Sequence, residues 1–258
     1  MSVLEDAMRD ELNASAERRV AVLDPVKLVV DNYPEGESEA CDAPNHPQKP
    51  ELGRRELRFG RELWIDREDF AEAPPKGYFR LAPGAEVRLR HAYVVRCTGV
   101  EKDAQGNVTV VRCTYDPTTK SGTAGAEARK VKGNIHWLAA SDAVEAEVRL
   151  YDRLFRVPFP GARLPWGQKE AGVPPAVLAV ARVAEVAGDE EPEAEPAERN
   201  YLDDLNPDSK RVIRAYVEPA LAGIAADQHY QFERHGYFVA DRVDHRAERS
   251  LEEDALAC

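Results

Sequence analysis

Apolar residues recur along this chain with two periods, and the change between them outlines its elements. Leu4, Met8 and Leu12 stand four apart, which predicts a helix over 2–16. From Arg19 the spacing shortens. Val20 and Val22 lead into Asp24-Pro25, where the proline stops a strand or forces a turn, and Val26-Lys27-Leu28-Val29-Val30 resumes an extended pattern. PEGESE is loop, and PNHPQKPELG (44–53), with three prolines in seven residues, is an extended, rigid connection. Beyond 86 the period is two. Val87, Leu89, Val95 and Cys97 share parity, EKDAQGN (101–107) is a hairpin turn in which Gly106 and Asn107 can take positive φ, and VTVVRCTY (108–115) is the return strand. Strands are also predicted at 132–137 and 144–152, with Tyr115-Asp116-Pro117 as a strand end followed by a turn. Residues 156–200 break the pattern and read as a surface insertion with room for one helix at 175–187. Order returns at 201–219 and 228–239, and the closing segment DRVDHRAERSLEEDALAC is helical or frayed. Short strands separated by turns predict a mainly β fold of antiparallel barrels.

Charge adds a second layer. The formal net charge is -12, and much of the acid lies in VAEVAGDEEPEAEPAER (183–199), a solvated linker. Against that background KGYFRLAPGAEVRLRHAYVVR (76–96) sets Lys76, Arg80, Arg88, Arg90 and Arg96 against one acid, Glu86. On a strand, Arg88 and Arg90 fall on one face ~7 Å apart, a spacing near the phosphate repeat of an extended nucleic-acid strand. A chain this acidic is repelled from RNA at long range, so RNA binding requires such a segregated patch.

Other chemistry is sparse. The cysteines, Cys41, Cys97, Cys113 and Cys258, form no CxxC pair, which argues against zinc. Cys97 and Cys113 should face each other across the hairpin as reduced, buried thiols. His136, beside Trp137, reads as a packing histidine, and His46, between prolines, as a residue that fixes its loop. His229, Glu233 and His235 cluster near Gln231 without metal-ligand spacing, so no metal is expected. Asp24 and Asp66, after apolar runs, read as turn formers. No Ser/His/Asp or Cys/His arrangement suggests a catalytic residue. No stretch approaches the ~20 apolar residues of a membrane span, and MSVLEDAMRDELNASAERR lacks the apolar core of a signal peptide, so no membrane partner and a cytoplasmic location are expected.

RRVAVLDPVKLVV, PNHPQKPELG, ELWIDREDF, YFRLAPGAEVRLRHAYVV, KVKGNIHWLAASDAVEAEVRLYDRLF, YLDDLNPDS and YQFERHGYF occur in this order. Each is weak alone. In register, from about residue 2 to 240 with a gap near 163–198, they strongly resemble the C-terminal anticodon-binding region of glutaminyl-tRNA synthetase.

The resemblance implies two antiparallel β-barrels, related to ribosomal proteins that bind ribosomal RNA. It sets a connector helix at 1–17, a discontinuous first barrel at 18–76 plus 200–240, and a second barrel at 77–155. An insertion at 156–199 and a tail at 241–258 complete the division. It also implies roles. Arg19, Gln231 and Arg234 match positions expected to hold the central uridine of an anticodon. Arg80 matches the reader of a guanine at the third base, and Arg88 and Arg90 lie near the first. Pro47 and Gln48 match a strip packed beside a base, and Lys76 belongs to the same basic surface. The residue types suit the task. Gln can meet a splayed Watson–Crick edge with donor and acceptor together, and Arg can donate twice to guanine O6 and N7. Two positions depart from the pattern: Phe79 stands where a Lys is expected, and Gly77 where a longer polar side chain is. Phe79 can stack on a base instead. The expected partners are a tRNA with a glutamine anticodon and the catalytic domain of a synthetase. HIGH-like and KMSKS-like motifs are missing, so the chain is not expected to aminoacylate alone. ATP and Mg belong to the parent enzyme's catalytic domain and no cofactor is expected here. Two alternatives are a scaffold derived from the synthetase that has lost RNA binding, and the anticodon region of a glutamyl-type enzyme.

Overall fold

The computed structural model describes residues 2–158, 160–161 and 200–245. The first helix, α1 (Ser2–Ser15), ends where Ala16 N donates to Leu12 O at 2.9 Å. Five strands follow closely: β1 (Glu17–Arg19), β2 (Ala21–Val22), β3 (Pro25–Val30), β4 (Ser38–Pro44) and β5 (Arg54–Gly60). Then come β6 (Glu62–Asp66), β7 (Glu86–Leu89), β8 (Val94–Lys102) and β9 (Val108–Asp116). A short helix α2 (Ala124–Ala128) precedes β10 (Gly133–Ile135), β11 (Leu138–Ala139) and β12 (Val144–Tyr151). The last strands are β13 (Lys210–Val217), β14 (His229–Phe232) and β15 (Gly236–Val239).

Local periodicity explains many of these. Val87, Leu89, Val95 and Cys97 all point inward at 1% exposure or less, as their shared parity requires. The β8–β9 turn is held by Asp103, whose Oδ1 accepts from the amides of Gln105 and Asn107, with Gly106 at φ 88°. Cys97 and Cys113 pair directly across the hairpin, both buried and free. Asp116 closes β9 by accepting from Thr118 N over the turn Pro117–Thr119. The strand expected at 132–137 is the shorter β10, which ends at Ile135, and β11 begins separately after His136-Trp137.

The tertiary pairing departs from the expected division. A seven-stranded sheet runs in the order β10-β7-β8-β9-β3-β6-β11. It joins strands on both sides of position 76/77, so the boundary expected there falls inside a sheet. The reason is β3, which pairs parallel with β9 (Lys27↔Val110 to Val30↔Cys113) while pairing antiparallel with β6. Parallel pairs also join β10 to β7 and β1 to β14. Such pairs connect distant segments and leave no turn signal in the sequence. One core results. Tyr33, Phe59, Tyr93, Tyr115 and Trp137 interlock within it, Phe59 meeting Trp137 edge-on at 5.3 Å between centroids. A smaller cluster, Ala21, Val217, Leu221 and Phe232, packs where β13 pairs with β2.

The described residues fall into two compact units, those within 1–148 and 213–258, and those within 149–212. In the second, Phe155 bridges Leu205 antiparallel, and Asp152 N and Arg156 Nε donate to Ser209 O and Leu205 O. Most of the expected 156–199 insertion, including its 175–187 helix, lies outside the described residues, as do Cys258 and the tail from 246 onward. No described helix is long and apolar enough to cross a membrane.

Candidate nucleic-acid interface

The site is built around a short turn, Arg67–Asp69, that follows β6. Leu81 N donates to Asp69 O at 2.9 Å and Phe70 bridges Leu81, so residues 77–80 are drawn alongside this turn. The Asp69 side chain is wholly buried and accepts two guanidinium groups. Arg234 meets it in a two-pronged pair, both contacts at 2.6 Å, and Arg80 Nε lies 3.3 Å from its Oδ1. Arg234 sits in the β14–β15 turn at φ 70°, a left-handed conformation that costs an L-residue roughly 1–2 kcal/mol. Its two charge-assisted hydrogen bonds to Asp69 offset that cost. The sequence-distant Arg80 and Arg234 are thus placed side by side.

Both open onto a groove of about 540 Å³ lined by Gly77, Tyr78, Phe79, Arg80, Lys132, Asn134 and Arg234. Phe79 is 55% exposed, with Lys132 Nζ 5.1 Å from its ring centre. The wall behind it requires glycine at 133. A Cβ there would lie 2.3 Å from Phe79 O and 2.7 Å from Val87 Cγ1. Lys76, next to Gly77 in the chain, is exposed.

The other expected residues divide. Gln231 pairs through its backbone with Arg18 on one side and Tyr237 on the other, and its side-chain amide has no protein partner among the described residues. Arg90 reaches the same turn by a 2.7 Å ion pair to the buried Glu233. Arg19 is almost buried. It is held by Glu17 at 2.6 Å and Glu218 at 3.1 Å, packs 5.0 Å from the Tyr230 ring centre and touches Asn45. Pro47 and Gln48 are exposed two and three residues beyond Asn45. Their loop is fixed by His46, which donates from Nε2 to Asn13 O at 2.9 Å and accepts from Gln48 N at Nδ1. Arg88 is not part of the cluster. Its guanidinium donates to the carbonyls of Thr119, Ala126 and Arg129 and so holds the 117–129 loop, while Arg90 turns toward Glu233. The two do not present one solvated face, because carbonyls of the 117–129 segment, α2 included, capture the first and are invisible to strand periodicity. Sequence reasoning missed Glu68, Asp69, Tyr78, Lys132 and Asn134. All five lie inside motifs of the resemblance, but the acids, after an apolar strand, gave no chemical signal of their own.

Asp66, expected as a turn former, is a buried hub. Its Oδ1 accepts from the amides of Leu23 and Asp24. Its Oδ2 accepts from His136 Nε2 at 2.6 Å and His235 Nε2 at 3.0 Å. His235 thereby groups with Asp66 and His136, three potential metal ligands. A metal at both Nε2 atoms would move the His136 proton to Nδ1, which is buried without a hydrogen-bond partner. Hydrogen bonding therefore suits the trio better than ligation. Burial alone would raise the Asp66 carboxyl, but the bonds from His136, His235 and Asp24 overcome it and hold the group well below the ordinary carboxylate range. A carboxyl depressed by folding stabilises the fold above its unfolded pKa of about 3.9 and loses that contribution as pH falls below it. Asp66→Asn should cost about 1–3 kcal/mol at pH 7 and flatten the acid limb of stability, as thermal melts between neutral and acid pH will show. An equally steep limb in the variant would refute the assignment.

Two family models match: tRNA synthetases class I (E and Q), anti-codon binding domain, over residues 16–116, and a second model of the same description over 134–241. The chain belongs to the anticodon-binding domains of these class I synthetases. It is 55% identical over 244 residues to a glutamine–tRNA ligase of Cupriavidus metallidurans, 53% to one of Nitrosomonas europaea, and 47% over 250 residues to one of Polynucleobacter necessarius. Each match covers 95% of this chain but only 36%, 38% and 37% of the respective relative. The mainly β architecture is thus that of the glutaminyl-type anticodon-binding region.

Proposed function

We propose that this chain recognises the anticodon of a glutamine-accepting tRNA, as the anticodon-binding part of a cytoplasmic glutamine–tRNA ligase. The observation that carries the reading is the pair Arg80 and Arg234, held together at an open groove beside an exposed aromatic ring. Arg80 offers paired donors to guanine O6 and N7 at the third base. The unpartnered Gln231 amide meets the central uridine, Phe79 stacks on a base, and Lys76 and Lys132 meet backbone phosphates. Arg19, fully occupied by acids, orients the 45–48 loop, and so Pro47 and Gln48, against the reader hairpin. Arg90 holds that hairpin through Glu233, and Arg88 acts through the 117–129 loop. ATP, Mg and aminoacyl transfer belong to the catalytic domain of the parent enzyme, the second partner. The glutamyl-type alternative is the weaker, since the relatives named above are glutamine–tRNA ligases.

The reading is tested by fluorescence anisotropy with two labelled stem-loops of equal length, one carrying CUG and one a scrambled triplet. The CUG loop should bind at least about tenfold more tightly, the value of one good bidentate base contact. Equal affinities would overturn the proposal.

A further inference from the structure

Two neighbouring carboxylates flank the arginine pair, and they differ in every physical respect except charge. Asp69 is fully buried; its side chain accepts both prongs of Arg234 and is ion-paired with Nε of Arg80 at 3.3 Å. It cannot leave without abandoning two charges. Glu68 is 61% exposed, and a single oxygen, Oε1, lies 2.9 Å from Arg80 Nη1 and 3.3 Å from Arg234 Nη2. Its place is fixed by the main chain, since Glu68 O accepts from Arg80 Nη1 and from the Tyr78 hydroxyl. Its carboxylate is a solvated end on rotatable bonds. Glu68 therefore occupies, at the mouth of the groove, donors that an RNA acceptor would use.

We propose that Asp69 is a positioning residue that couples Arg80 and Arg234 into one reading unit, and that the Glu68 carboxylate is a displaceable surrogate for RNA that competes for the same donors. The inference rests on the anticodon reading above. With Glu68 in place the four side chains sum to zero charge, and with it turned out they carry one net positive charge. In a protein of net charge -12 this keeps the free site from attracting polyanions until a ligand offers acceptors good enough to replace a carboxylate. Because Asp69 joins both guanidinium groups through one Oδ1, a shift in either is felt by the other, and two adjacent bases are tested together.

Substitutions that each remove one negative charge should consequently act in opposite directions. Glu68→Gln should tighten binding of the CUG stem-loop severalfold and steepen the salt dependence of log K by about 0.7, one additional charge neutralised on a single strand. Asp69→Asn should weaken binding and, beyond that, reduce discrimination at the second and third anticodon positions together. An Asp69 with a merely structural role would lower affinity for every loop and leave those ratios unchanged. The experiment is the same anisotropy titration at several salt concentrations, with loops changed singly at the second or third position. Weaker or unaltered binding by E68Q overturns the proposal, as does tighter binding by D69N. E68Q alters an exposed side chain, so its sign decides even where D69N folds poorly. Wild-type discrimination between CUG and scrambled loops, read alongside, tests the underlying anticodon reading separately.

Discussion

Replacing Glu218 with alanine should lower the unfolding free energy by about 3–5 kcal/mol, the usual cost of stripping one partner from a buried ion pair. Glu218 is 1% exposed and its carboxylate lies 2.8 Å from Arg55 and 3.1 Å from Arg19, with Val20 N donating to it at 3.1 Å. Burial pushes its carboxyl above the ordinary value, and Arg55, the Val20 amide and Arg19 pull against that rise. Deletion would leave two largely buried guanidinium groups without their shared counter-charge and the Val20 amide without its acceptor. Arg19 would keep Glu17, and Arg55 would keep Pro44 O, so rearrangement is partial rather than complete. Glu218→Gln, which preserves an acceptor for Val20, should cost less. Urea denaturation checks both. The midpoint should fall with little change in slope, and an alanine variant as stable as the parent would show the cluster to be energetically idle. The same substitution should loosen the 45–48 loop, because Arg19 holds Asn45.

Arg80→Ala should remove the preference for guanine at the third anticodon position, a loss of about 1–3 kcal/mol or roughly fivefold to 150-fold in affinity for the CUG loop. The fold should survive it. Arg80 is partly exposed, and Asp69 retains both hydrogen bonds from Arg234, so no buried charge is abandoned. Arg88→Ala should behave in reverse. It frees the 117–129 carbonyls and lowers stability while leaving base preference in place. Thermal melting and anisotropy on the two variants separate these outcomes, and loss of stability without loss of preference in Arg80→Ala would contradict the assignment.

Sequence periodicity carried the local structure and the chemical type of the site, but not its assembly. The β7–β8 parity, the Asp103 turn and the Cys97–Cys113 pairing follow from period two and turn chemistry acting over a few residues. The parallel pairs β3–β9, β7–β10 and β1–β14 do not, since no hairpin announces them, and they are what merge the strands on either side of position 76/77. The site shows the same limit. The motifs named Arg80, Gln231 and Arg234, but the acid joining the first and third, Asp69, comes from a turn eleven residues before Arg80 and, though inside the motif ELWIDREDF, looks like any residue after an apolar strand. Asp66 was hidden for the same reason. Its histidine partners lie 70 and 169 residues away.

The central claim, that the groove beside Arg80 and Arg234 receives the third anticodon base, is tested most directly by photocrosslinking. A stem-loop with 6-thioguanosine at the third position of CUG is irradiated in complex with the protein, and the adducts are mapped by mass spectrometry. Adducts confined to the segments 77–80 and 132–134 and to Arg234 are predicted. Adducts on another face, or the same yield from a scrambled loop, would contradict it.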